Sequence, residues 1–119
     1  MRLATLLLLA SPLAFADNWS GLLVDSKCYA AEQRNVNPKD ETTVDRDMNE
    51  QIRYCRPDGK TKNFGIVLPD WNSLSFDAGG NAKAAELVRS SGKQKVLSVL
   101  VTGERKNSII HVDSISPEK

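Results

Sequence analysis

The stretch NFGIVLPDWNSLSFDAGGNAKAAELVRSSGKQKVLSVLVTGE, running from Asn63 to Glu104, decides the fold. Phe64, Ile66 and Leu68 alternate with Asn63, Gly65 and Val67, the period of a strand with one buried face, and Pro69-Asp70 stops it. Leu74 and Phe76 alternate with Ser73, Ser75 and Asp77 in a second short strand, which Ala78-Gly79-Gly80 breaks. The period then changes. Asn81 stands where a helix cap belongs, Ala84, Ala85, Leu87 and Val88 give Ala82 to Ser90 an apolar side, and Gly92 supplies the C-terminal stop. From Lys95 to Glu104 the alternation returns, with Leu97, Val99 and Val101 on one face. Val96, Ser98, Leu100 and Thr102 occupy the other, so both faces are expected to be at least partly covered.

Outward from this stretch, Arg105-Lys106-Asn107 reads as a turn into a last strand, Ser108 to Ile115, after which Pro117 to Lys119 should fray. On the other side, Ser26 to Lys62 is polar, and its persuasive element is a helix from Thr43 to Cys55. There Val44, Met48, Ile52 and Cys55 recur at helical spacing. Thr42 and Asp45 form a capping pattern, and early acids with late arginines, Arg53 and Arg56, complement the helix dipole. Arg56-Pro57-Asp58-Gly59 then turns the chain. Trp19 to Asp25 is a first strand, Leu22 and Val24 on one face, Trp19, Gly21 and Leu23 on the other, with Gly21 marking a bulge or a close backbone approach. The predicted chain is mainly β. Its order is that of a five-stranded OB-fold-like barrel, with one short helix between strands 3 and 4 and a helical insert between strands 1 and 2.

Several residues carry a likeness to a known group. Trp19-x-Gly21-x-Leu23-Val24-Asp25-Ser26-x-Cys28, then Cys55, then Gly92-Lys93 before a strand with Val101-Thr102-Gly103, and finally Ile110-x-Val112-x-x-Ile115, resemble small secreted bacterial proteins without an assigned activity. The C-terminal halves of that group are similar to periplasmic bacterial OB-fold proteins. The resemblance covers most of the chain beyond residue 16 and implies the fold and compartment; no catalytic signature comes with it. Two departures stand out: the insert carries its own helix, and Leu97-Ser98 replaces the group's alternation of Val with a charged residue.

Met1-Arg2, the apolar run Leu3 to Leu13 and Ala14-Phe15-Ala16 have the three regions of a signal peptide, so residues 1–16 are expected to be removed and 17–119 to form a single domain. The run is shorter than the roughly 20 apolar residues of a membrane span and is interrupted by Ser11 and Pro12. The chain has 16 basic and 15 acidic residues; without Arg2 it is formally neutral, which excludes a global field for polyanions. The compartment is read as secreted or periplasmic. In that setting Cys28 and Cys55 read first as a disulfide, and the rival metal site has only the distant His111 to add.

Chemistry-bearing residues are few. His111 and Asp113 share one face of the last strand with Ile109 and Ile115 and could supply two thirds of a triad, but no nucleophile motif accompanies them. Gly79-Gly80 and Gly92-Lys93 lack the Walker spacing, and the acids Asp40, Glu41, Asp45 and Asp47 lack the calcium-loop pattern. No motif calls for a cofactor or a metal. Arg53, Arg56, Lys60 and Lys62 lead into strand 2, which borders the ligand face in OB-folds; with Tyr54 and Trp71, the two aromatics that alternation leaves outside the core, they make the candidate binding edge. Trp71 reads either as a ligand contact or as packing across the barrel mouth. The expectation is a non-enzymatic binding or envelope-associated module for a small ligand or an envelope protein. Its alternatives are a small hydrolase or metal-dependent enzyme using His111 and Asp113, and nucleic-acid binding through the OB face.

Overall fold

A computed structural model of the chain describes residues 16–35, 44–92 and 96–118. The expected leader therefore lies outside the described residues except for its last alanine, as do Asp40, Glu41, Thr42 and Lys93 to Lys95; the side chains of Val44, Asp45, Asp47 and Met48 are likewise not described.

Among the described residues five strands and three helices follow one another as β1 (Asp17–Asp25), α1 (Ser26–Asn35), α2 (Val44–Tyr54), β2 (Phe64–Val67), β3 (Ser73–Phe76), α3 (Ala78–Ser91), β4 (Ser98–Lys106) and β5 (Ile109–Pro117). The strands close in a ring in the order β1-β2-β3-β5-β4, with β1 paired to β4. All neighbours are antiparallel except β3 and β5, which run parallel over Ser75↔Ile109 and Phe76↔Ile110. That parallel pair needs a crossover connection, which α3 and β4 supply.

Alternation places the interior as expected. Leu23, Phe64, Ile66, Leu74, Phe76, Val99, Val101, Ile110 and Val112 are buried together inside the ring, and Ala84 of α3 joins them. The register Leu22↔Val67 brings the end of β2 so close to β1 that a Cβ on Gly21 would meet the Val67 carbonyl oxygen at 2.7 Å. Gly21 is thus the close approach, not the bulge.

The bulge is on β5. Thr102 pairs with Ser114 and Gly103 with Val112, which leaves Asp113 as the additional residue. A Cβ on Gly103 would strike the backbone of His111 and Val112, so the bulge requires a glycine opposite it. It also reverses the alternation beyond it. Ile115 pairs with buried Val101 and packs against the interior cluster, instead of sharing one face with His111 and Asp113.

The start of α3 and the β4–β5 turn differ from the sequence expectation for physical reasons. Ala78-Gly79-Gly80 ends the strand as expected but already forms the first turn of α3, because Asp77 is the cap: its carboxylate accepts the Gly80 N–H at 2.8 Å. Asn81, expected as that cap, instead accepts the Phe64 N–H on its side-chain oxygen at 2.8 Å and ties α3 to β2. Arg105 and Lys106 belong to β4, since Asn107 adopts the left-handed backbone (φ 61°) that asparagine tolerates and turns the chain in two residues.

The polar excursion after β1 holds a second helix, α1, which the expected single helix omitted. Asp25 starts it: Oδ1 accepts the Cys28 N–H at 3.0 Å, and Oδ2 accepts the Thr61 hydroxyl at 3.3 Å. Cys28 and Cys55 form the expected disulfide, with their Cα atoms 5.5 Å apart. Tied in this way, α1 and the end of α2 lie on the outer face of β1 and β2, where Val24, Tyr29, Ile52, Cys55 and Val67 make a second buried cluster. β2 is consequently buried on both faces, not on one.

Candidate functional site

The turn between β2 and β3 positions the main candidate. Trp71 donates its N–H to the Leu68 carbonyl, and the Asn72 carbonyl accepts the Leu68 N–H, at 2.8 and 2.7 Å. Asp70 locks the turn, accepting the Asn72 backbone N–H and side-chain amide at 3.0 Å each. The result holds Trp71 at φ 73°, a left-handed conformation that is an outlier for a bulky side chain. Half-buried, Trp71 packs against the outer cluster, beside the disulfide-tied insert.

A cavity of about 260 Å³ opens there. Gly21 and Leu22 of β1, Val67 of β2, Ile52 of α2, Leu68 and Trp71 line it, together with Pro69, Ser20 and Ser98. Its surface is mainly hydrocarbon and indole, with the two serines as its hydroxyl groups. Such a site takes up an apolar group and offers little to orient a strongly polar one.

The other candidates are arranged differently. Tyr54 is 73% exposed, and Arg53, Arg56, Lys60 and Lys62 are exposed as well, but none of the five lines the Trp71 cavity. Arg53 and Arg56 are joined by a hydrogen bond from the Arg56 guanidinium to the Arg53 carbonyl at 2.8 Å. Lys60 and Lys62 follow the Arg56-Pro57-Asp58-Gly59 turn, where Asp58 accepts the Lys60 N–H at 2.8 Å. The outer face of β2, into which these basic residues lead, is occupied by the outer cluster.

His111 has moved partners. Its Nδ1 lies 3.4 Å from Asp77 Oδ2, across the β3–β5 junction, and Asp113 is the bulge residue. The Asp77 carboxylate also accepts the Gly80 and Val112 N–H groups, the latter at 3.2 Å. Burial pushes the Asp77 carboxyl upward, but these two backbone bonds and the nearby His111 outweigh it and hold the group below its usual range. This is a capping carboxylate beside a surface histidine. Among the described residues no three His, Cys, Asp or Glu side chains are grouped to hold a metal ion. Tyr29, enclosed in the outer cluster, has its phenol pushed above its usual value by burial.

The turn Pro69-Asp70-Trp71-Asn72 was legible in sequence, whereas the partners that complete its cavity were not. Ile52 and Leu22 show only as apolar positions of a helix and a strand, and no local signal says that they meet Trp71. Among the described residues no helix is long and apolar enough to cross a membrane. Compared with protein-family models, curated proteins and solved structures, the chain matches none.

Proposed function

We propose that this chain is a secreted or periplasmic, non-enzymatic binding module with an OB-fold-like ring, and that its ligand contact is the Trp71 cavity. The observation that carries the reading is Trp71 itself, a large aromatic held at positive φ by its turn and lining an apolar opening. Strain of this kind persists where the surrounding structure over-determines it, and it concentrates at binding positions. The strand order 1-2-3-5-4, with a helix between strands 3 and 4, supports the OB-like assignment. The disulfide, the leader-like first 16 residues and the resemblance to small secreted bacterial proteins support export.

Ligand capture and export are separately testable. In ¹⁵N-labelled protein, titration with n-hexanol as an apolar probe is expected to shift the amides of Gly21, Leu22, Leu68 and Trp71, and Trp71→Ala to abolish those shifts. Shifts confined to Arg53, Arg56, Lys60 and Lys62 would overturn the assignment in favour of the basic edge. N-terminal sequencing of the protein recovered from a bacterial host's periplasm is expected to begin at Asp17; retention of residues 1–16 in the cytoplasm overturns export.

A further inference from the structure

Resting on the Trp71 cavity as the binding site, we propose that its partner is a protein segment that presents one apolar side chain next to a lysine or arginine. Size argues for a single side chain: about 260 Å³ falls below the roughly 300–1,000 Å³ of sites that enclose a whole drug-sized molecule. A rigid aromatic wall around one anchor is the form taken by the central residue of many protein interfaces.

Charge argues for the basic neighbour. No described lining residue is charged, but one carboxylate is bonded to the lining and another belongs to its turn. Glu118 Oε2 accepts the Ser20 hydroxyl at 3.1 Å, and the Glu118 N–H donates to the Ser98 carbonyl at 2.7 Å, so this acid is fixed beside two residues of the cavity. Asp70 sits between Pro69 and Trp71, exposed, its oxygens held by Asn72. A carboxylate accepts about four hydrogen bonds, so both acids keep acceptor capacity toward an incoming cation. The indole face of Trp71 attracts cations as well. Arg53 neighbours the lining residue Ile52 as Asp70 neighbours Trp71, and both are exposed, so the acidic bias rests on Glu118, which is bonded to two lining residues.

The test compares three peptides, acetyl-SKLKS-amide, acetyl-SSLSS-amide and acetyl-SELES-amide, against the disulfide-bonded protein by amide shifts at Gly21, Leu68 and Trp71. The basic peptide is expected to bind about three- to fivefold tighter than the neutral one, the range exposed charge pairs reach, and the acidic peptide most weakly. The preference should shrink in 0.5 M salt, and in Glu118→Gln, which keeps an oxygen for Ser20. Equal binding of all three peptides at Trp71 overturns the basic partner and leaves the cavity assignment standing. No shift at the cavity with any peptide, while n-hexanol still shifts it, overturns the protein segment alone; no shift with n-hexanol either overturns the cavity assignment as well. Hexyltrimethylammonium binding as tightly as the basic peptide overturns the protein segment in favour of a small organic cation.

Discussion

Two apolar clusters lie back to back across one sheet and are held by different means. Leu23 and Ile66 point into the ring while their neighbours Val24 and Val67 point out, so each strand contributes to both. Inside the ring, ten buried residues from all five strands and α3 enclose one another. Outside, five buried residues gather under α1 and α2, and Cys55 is both a packing residue and half of the crosslink. A small cluster on a polar insert has little burial with which to offset the entropy of ordering it, and the disulfide removes much of that cost by restricting the unfolded chain. The inner cluster makes the scaffold; the outer one borders the Trp71 cavity, which Ile52 of the tied insert helps to line.

That contrast predicts a hierarchy of effects. Phe64→Ala should cost the most, about 3–5 kcal/mol in urea unfolding, because the ring has no spare residue to fill the void; a loss below about 1 kcal/mol would mean that the interior is not the main source of stability. Joint replacement of Cys28 and Cys55 by alanine should cost about 2–4 kcal/mol. In that variant hydrogen exchange should accelerate in α1 and α2 well before β4 and β5, and uniform acceleration through the strands would erase the distinction between the clusters.

Asp77→Ala should cost about 1–2 kcal/mol by removing the α3 cap. Since the folded Asp77 carboxyl titrates below its unfolded value, its contribution is complete above the unfolded pKa, near 3.9, and is lost as pH falls through the lower folded value. Urea midpoints of parent and variant should therefore converge in acid; a gap that stays constant down to pH 2 contradicts the assignment. Trp71→Gly should change stability least, within about 1 kcal/mol, as relief of the positive φ offsets lost contacts. Binding at the cavity should nevertheless vanish, and retained binding would detach function from the outer cluster.

Much of the ring was legible from residue order because a period of two is a local property. Phe64, Ile66, Leu74, Phe76, Val99 and Val101 announce the buried face of their strands without reference to any partner. α1 was hidden for the complementary reason: Cys28 and Tyr29 give it too narrow an apolar side to show a helical period, and its cap, Asp25, reads equally well as the end of a strand. The bulge at Asp113 could not be read either. A strand shows its alternation, but an additional residue is visible only against the paired strand, here through Gly103.

The same division separates scaffold from site. The succession of strands along the chain, the single crosslink and a turn that carries a tryptophan follow from alternation, cysteine number and turn chemistry. Closure of β3 onto β5, the covering of the outer face of β2, the pairing of His111 with Asp77 instead of Asp113, and the meeting of Trp71 with Leu22 and Ile52 arise between segments far apart in the chain. Such contacts depend on which surfaces pack when every strand is in register, and that is a property of the folded ring rather than of any stretch within it.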